Sequence, residues 1–216
     1  MSGTGGVIIR PARPGDENGI ARVHVESWRS TYRGIMPDAV LDGLSQERRA
    51  RHWKTVLESQ DVREFVFVAE TEPGVCRESR QCGQPGELAK CEEFGQIAKP
   101  GESGASGEIV GFAVGGPERD GDPVYKGELY AIYLLEKYQR QGLGRRLVAA
   151  VAQELIRRDL CSMLVWVLVD NPACGFYEAL GGRRMHSRPI TIGPATLEEV
   201  AYGWPDLRAV RFADWP

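Results

Sequence analysis

The chain has 216 residues, 42% of them hydrophobic and 26% charged, with a formal net charge of −3. That is the composition of an ordinary globular protein, with enough chain to bury a stable core without disulfides or metal. The slight acidity argues against a nucleic-acid partner, which needs a basic face, and no apolar run reaches the roughly 20 residues of a membrane span.

Five cysteines lie scattered at positions 76, 82, 91, 161 and 174, an odd number that favours reduced thiols over a disulfide framework. Met1 to Gly6 is small and polar, with no signal-peptide hydrophobic region, so a cytoplasmic protein is expected. A monomer and a homodimer are both compatible with the sequence.

Val7 to Arg10 reads as a first strand. Pro11 to Asp16 is a turn, and Asp16 can cap a helix running to about Trp28 with Ile20, Val23 and Trp28 on one face. A break at Arg33 to Pro37 precedes a second helical region from about Pro37 to Glu58. Glu64 to Glu70, Glu108 to Gly115 and Lys126 to Leu135 read as three strands of an antiparallel meander. Gln141 to about Arg157 predicts a strong helix, because Leu143, Leu147, Val151 and Leu155 recur every fourth residue. Ser162 to Val169 is a buried strand and Ala173 to Leu180 a short helix. Met185 to Ile192 and Glu199 to Trp204 complete the order as strands. This order predicts an α/β (α+β) domain spanning residues 1–216, with a mixed sheet.

The stretch from Thr71 to Gly107 fits no element. It carries seven glycines, three prolines and three cysteines, and reads as a surface insertion in a hairpin. Cys76, Cys82 and Cys91 have neither a close cysteine pair nor a nearby histidine, so no metal is expected there. His24, His52 and His186 show no ligand spacing and read as structural.

The most informative segment is Gln139-Arg140-Gln141-Gly142-Leu143-Gly144-Arg145-Arg146, between a strand and the strongest helix. A helix N-terminus presents unpaired N–H groups and the positive end of the dipole, and glycine lets a phosphate approach the main chain. With Arg140, Arg145 and Arg146 beside it, the turn suits a pyrophosphate. Taken alone it is equally a strand-to-helix turn with solvated arginines. A P-loop would need Lys-Ser or Lys-Thr after Gly144, where Arg145 and Arg146 stand. A dinucleotide fingerprint would need a small residue at Leu147.

The segment Gln139 to Gly144 resembles the phosphate loop of the GNAT superfamily of N-acetyltransferases, Gln/Arg-x-x-Gly-x-Gly/Ala. Asn171-Pro172-Ala173-Cys174-Gly175-Phe176-Tyr177-Glu178-Ala179-Leu180-Gly181 resembles that family's Asn-x-x-Ala-x-x-Phe-Tyr-x-x-x-Gly helix, with the alanine one residue early. Ile8-Arg10-Pro11, the Trp28…Tyr32-Arg33-Gly34…Pro37 stretch and Tyr202-Gly203-Trp204 are similar to parts of one bacterial subgroup. The 71–107 insertion departs from the pattern.

The resemblance implies a twisted, mostly antiparallel sheet of six to seven strands, splayed at a coenzyme A site and flanked by helices. It implies acetyl-CoA as co-substrate, no metal, and a small-molecule or peptide amine as acceptor, attacked directly in a ternary complex. A CoA-binding sensor without turnover is the alternative on the same fold. The main-chain N–H groups of Ile132 and Leu134 would face the pantetheine and the thioester carbonyl. The main-chain amides of Gln141, Gly142, Leu143, Gly144 and Arg145 would hold the pyrophosphate, with Gln139 and Arg140 shaping the entrance of the cofactor-binding turn. Asn171 would bond the pantetheine amide or cap the following helix. Tyr177 would be the general acid, or else a packed tyrosine. Glu128, eleven residues before Gln139 and facing the same way as Tyr130, Ile132 and Leu134 in an extended strand, is the candidate base. Trp28, Tyr32 and Arg33 would border the acceptor or belong to the core, and Tyr130 would line the acceptor pocket.

Overall fold

A computed structural model describes residues 6–59, 63–72 and 107–210. Seven strands form one sheet in the order β1-β2-β3-β4-β5-β7-β6. They are β1 (Val7–Pro11), β2 (Phe65–Thr71), β3 (Ile109–Pro117), β4 (Gly127–Leu134), β5 (Met163–Leu168), β6 (Arg183–Ile192) and β7 (Ala195–Trp204). Of these described strands only β4 and β5 pair in parallel. Between them runs α4 (Leu143–Arg157), the crossover that a parallel neighbour requires. The other helices are α1 (Glu17–Thr31), α2 (Asp38–Asp42), α3 (Gln46–Glu58) and α5 (Ala173–Ala179).

The helices cover both faces. On β3, Phe112 packs its ring against His24 of α1 and Trp53 of α3, at 5.9 and 5.1 Å. Three residues on, a Cβ at Gly115 would stand 2.7 Å from Val151 of α4. An odd step along a strand reverses the face, so α1 and α3 lie opposite α4. The α4 stripe sinks wholly into the sheet: Leu147, Val148, Val151 and Leu155 have no exposed surface. Each fully buried leucine there contributes roughly 1.5–3 kcal/mol.

The long helical region after Pro37 divides, because Gly43 and Leu44 leave the helix and Ser45 starts a new one. The Ser45 hydroxyl accepts from the Arg48 N–H at 3.2 Å, an N-cap bond. Asp16 stands at the start of α1 without a side-chain capping bond. Its carboxylate instead accepts from Arg10 at 2.7 and 2.9 Å and from the Arg13 N–H at 2.8 Å, tying the turn to β1. The β2–β3 hairpin is tied at its end by two bonds: the Thr71 N–H donates to the Glu108 carbonyl, and the Glu108 N–H to the Thr71 hydroxyl at 2.9 Å. The body of the insertion, with Cys76, Cys82 and Cys91, lies outside the described residues. Among the described residues no helix is long and apolar enough to cross a membrane, and no group of His, Cys, Asp and Glu converges as a metal site.

His24 is buried between α1, α3 and the sheet, ringed by Trp28, Trp53, Phe112 and Tyr133. Burial first, then Arg49 and His52, push its pKa down from 6.5 to about 3. The unfolded chain therefore takes up a proton that the folded chain refuses, and stability falls as pH drops from about 6.5 towards about 3. Urea titrations across that window should show a shallower acid loss in His24→Phe than in the wild type. Leu147→Ala, which opens a cavity under α4, should cost about 2–5 kcal/mol in the same titration at neutral pH.

Candidate active site

The β4–β5 ladder pairs only Gly127 with Met163 and Glu128 with Leu164. Beyond Glu128 the two strands part. On the other side β4 stays paired to β3 through Leu134, with a register shift opposite Val114 and Gly115. That shift places Tyr130 as the extra residue of a bulge, which bends the strand and raises its twist. The bulge also breaks the alternation that would have set Glu128 on one face with Ile132 and Leu134.

The parting leaves a specific set of main-chain groups without a strand partner. The Leu135 N–H donates to the Val110 carbonyl of β3 at 3.0 Å. Alternation directs the Tyr133 N–H the same way and the Ile132 and Leu134 N–H groups into the gap. The Leu134 carbonyl, on the gap side, accepts from the Ser27 hydroxyl at 3.2 Å and the Gln139 side chain at 3.0 Å. The structure thus brings the Gln139 side chain onto Leu134, with Ile132 two residues back along the same strand.

At the far end of the gap the chain turns into α4. Arg140 and Gly142 both have positive φ, 59° and 79°, so the helix begins at Leu143, two residues later than the periodicity suggested. Gly142 occupies the left-handed N-cap position, where a side chain would be strained. The Gln141 side chain donates to the Lys137 carbonyl at 2.8 Å and braces the turn. A Cβ at Gly144 would sit 3.3 Å from the Phe176 ring and 3.5 Å from Leu134, so this glycine keeps the helix tip, α5 and the strand end close together. The first-turn N–H groups have no intrahelical acceptors, a set of donors that fits a diphosphate.

Tyr177 is buried on α5, its ring 5.3 Å from Phe176 and 5.9 Å from Tyr202. Burial raises its phenol well above the usual tyrosine range, so it stays protonated at any physiological pH. Asn171 is buried just before α5 and its carbonyl oxygen accepts from the Ala173 N–H at 2.9 Å, which is the capping contact. Its side chain also faces the Tyr32 hydroxyl. Trp28 and Tyr32 meet edge to face at 5.3 Å and share a cluster with Met36, Leu41 and Leu168.

Glu128 sits at the last closed pair before the gap, 1% exposed. Its carboxylate is held by both arms of Arg119, with Nε at 3.0 Å. The Arg119 guanidinium lies 4.2 Å above the Tyr130 ring, and the Tyr130 hydroxyl donates to the Pro117 carbonyl at 2.5 Å. Tyr130 and Glu128 are therefore both committed to contacts with the β3–β4 loop. Sequence reasoning missed Arg119, whose only signal was a guanidinium nine residues from the glutamate. It also missed Tyr133, between Ile132 and Leu134, which alternation directs to the opposite face, where its ring meets Trp28 and His24.

Comparison with known proteins bears on this geometry. Residues 123–189, which span β4, the glycine turn, α4, β5 and α5, match the FR47-like protein family. The chain is 37% identical over 205 residues to an uncharacterized N-acetyltransferase, YuaI, of Bacillus subtilis, covering 95% of this chain and 96% of that one. Its fold superposes at a TM-score of 0.58 on the PaiA N-acetyltransferase of Thermoplasma acidophilum in complex with coenzyme A, at 17% identity, over 90% of this chain and 98% of that one. A second superposition, at a TM-score of 0.55 and 17% identity, is with YncA of Salmonella typhimurium bound to acetyl-CoA, over 93% and 94% of the two chains. Near-complete coverage of a relative at this identity, on a sheet that parts beside a glycine-started helix, identifies the chain as a member of the GNAT superfamily of N-acetyltransferases and as an acyltransferase.

Proposed function

We propose that the protein transfers the acetyl group of acetyl-CoA to a primary amine of a small molecule or peptide, by direct attack within a ternary complex. The observation that carries this reading is the gap after Glu128, edged by the unpaired N–H groups of Ile132 and Leu134 and ended by the Gly142 turn. Residues Gln141 to Arg145 would hold the pyrophosphate of the co-substrate through main-chain N–H groups. The Leu134 N–H would stabilise the negative charge that develops on the thioester oxygen as the amine nitrogen adds to the carbonyl carbon. Tyr177 would give its proton to the departing sulfur as the carbon–sulfur bond breaks. Asn171 would meet the pantetheine amide with the part of its carboxamide that the cap leaves free.

The amine must arrive neutral. At a pKa of ~10.4 its deprotonation at pH 7 costs roughly 4.6 kcal/mol, within what one general base supplies. Glu128 is proposed for that role through a bridging water, exchanging an Arg119 contact for the incoming proton. Trp28 and Tyr32 would wall the acceptor side, with Arg33 at its border, and Tyr130 would set the rim. A cytoplasmic location and a monomeric or homodimeric state are proposed with it.

Four outcomes test this reading. Gly144→Val should weaken acetyl-CoA binding by at least about tenfold in a calorimetric titration, since side-chain bulk there meets Phe176, while the circular dichroism spectrum is kept. Tyr177→Phe should lower kcat by roughly 10²- to 10⁴-fold with the KM for acetyl-CoA little changed. In the wild type the acid must stay protonated, and its pKa is raised, so the alkaline fall of kcat should lie above the ordinary phenol value near 10. An unchanged kcat in Tyr177→Phe would remove the acid assignment, and an unchanged acid limb of the pH–rate profile in Glu128→Gln would remove the base.

A further inference from the structure

Two ladder pairs, Gly127 with Met163 and Glu128 with Leu164, join β1–β4 to the rest of the sheet among the described residues. A chain of ion pairs adds a second link on the face that carries Glu128. Arg119, in the β3–β4 loop, grips the buried Glu128 carboxylate with two nitrogens and lies over the Tyr130 ring at 4.2 Å. The carboxylate of the next residue, Asp120, accepts from Nη1 of Arg188 on β6 at 2.5 Å. Arg188 is fixed twice more. Its Nε donates to the buried Glu199 carboxylate of β7 at 2.7 Å, and its guanidinium lies 3.8 Å from the centre of the Trp166 ring of β5. Alternation sets Trp166 on the face of Leu164, two residues past the last closed pair. Two guanidinium-capped rings, Tyr130 and Trp166, therefore stand on the two strands that border the gap, and Arg119-Asp120 links one to the other.

An isolated ion pair between exposed side chains contributes little, because water screens it. Arg119 and Asp120 are exposed, but each is anchored to something that is not free to move. Glu128 is buried, and Arg188 is held by Glu199 and Trp166 whether or not Asp120 is there. The Asp120 and Asp122 N–H groups also donate to Glu118 at 2.7 and 2.8 Å, so the loop is shaped before it meets β6. We infer that Arg188 is a positioning residue for the transfer: by holding Asp120 it keeps the Arg119 fork on Glu128 at the mouth of the gap. The inference rests on the reading of Glu128 as the base. In that role the carboxylate gives up an Arg119 bond to take the acceptor's proton, and regains it when the proton leaves. An arginine tethered through its neighbour has fewer conformations to search on its return than one free to swing into water, so the base is reset in one orientation. Arg188 acts through Asp120 and Arg119, not on the reacting atoms.

The first readout needs no turnover. The Arg119 Nε–H gives its own signal in the nitrogen–proton spectrum of the labelled protein, and Arg119→Lys, which removes it, assigns it. In the wild type the signal should lie downfield and exchange slowly, as for a guanidinium bonded to a carboxylate. Asp120→Asn and Arg188→Met should move it towards the position of free arginine and speed its exchange by about tenfold or more. Arg188→Lys, which keeps a cation beside Asp120, should preserve part of the shift. Turnover is the second readout. Asp120→Asn should lower kcat by about tenfold or more with the KM for acetyl-CoA little changed. It should lower kcat no further when Arg119 is already replaced by Met, since the two residues act along one chain. Asp120→Asn leaves Arg188 on Glu199 and Trp166, so it should fold even if Arg188→Met, which strips the buried Glu199 of its partner, does not. An Arg119 signal unmoved in Asp120→Asn, or kcat losses that multiply in the Asp120→Asn/Arg119→Met double variant, would each overturn the inference. A wild type that acetylates no amine would instead overturn the acetyltransfer reading, and the Arg119 signal would still judge the tether.

Discussion

The arrangement depends on β4 being denied its partner after Glu128. A strand inside a sheet normally spends every N–H and C=O on its neighbours, and buried main-chain groups left over are costly. Here the Tyr130 bulge turns β4 away from β5 while β3 holds its other edge through Leu134. The Leu134 carbonyl is satisfied by Ser27 and Gln139, so the gap keeps N–H donors but gives up an acceptor. What is left is a strand edge whose N–H donors have no neighbouring strand to take them. The glycine turn, α5 and the aromatic residues of α1 are arranged around that edge.

The two faces of the sheet then divide the labour. The α4 face carries the helix tip, where Gly142 and Gly144 bring backbone donors forward and Leu134 and Phe176 pack the tip to the strand end. The α1/α3 face carries rings: Trp28, Tyr32, Tyr133, His24 and Trp53. The β6–β7 hairpin adds to this side, with Ile190, Ile192 and Leu197 packed against the Tyr32, Met36, Leu41 and Leu168 cluster, and its Gly193 turn against Val40 of α2. Backbone donors gather on one face and aromatic rings on the other, and Tyr177 is kept protonated by its burial.

Much of this could be read from the chain. The α4 stripe needed only its four-residue period, and the glycine turn only its composition, because both are local patterns. The helix boundary at Leu143 and the break at Gly43 were not legible, since they depend on φ angles that sequence fixes weakly. The Tyr130 bulge is a matter of register between strands, which leaves no mark in a single segment, and with it went the assumed alternation from Glu128 to Leu134. Arg119 on Glu128 and Arg188 over Trp166 are contacts between separate elements, and a single sequence does not pair an arginine with its partner. His24 reads as a core histidine in sequence. It is buried, but the absence of partners for its nitrogens appears only once the four surrounding rings are placed.

The most direct test of the account is on the main-chain donors themselves. Amide chemical shifts of Ile132, Leu134 and Gly142 to Arg145 should be followed as acetyl-CoA is titrated into the isotopically labelled protein. The account predicts that the Ile132 and Leu134 amides move downfield and gain protection from hydrogen exchange, together with the amides of the glycine turn. Saturation with acetyl-CoA that left those amides unshifted and freely exchanging would contradict it.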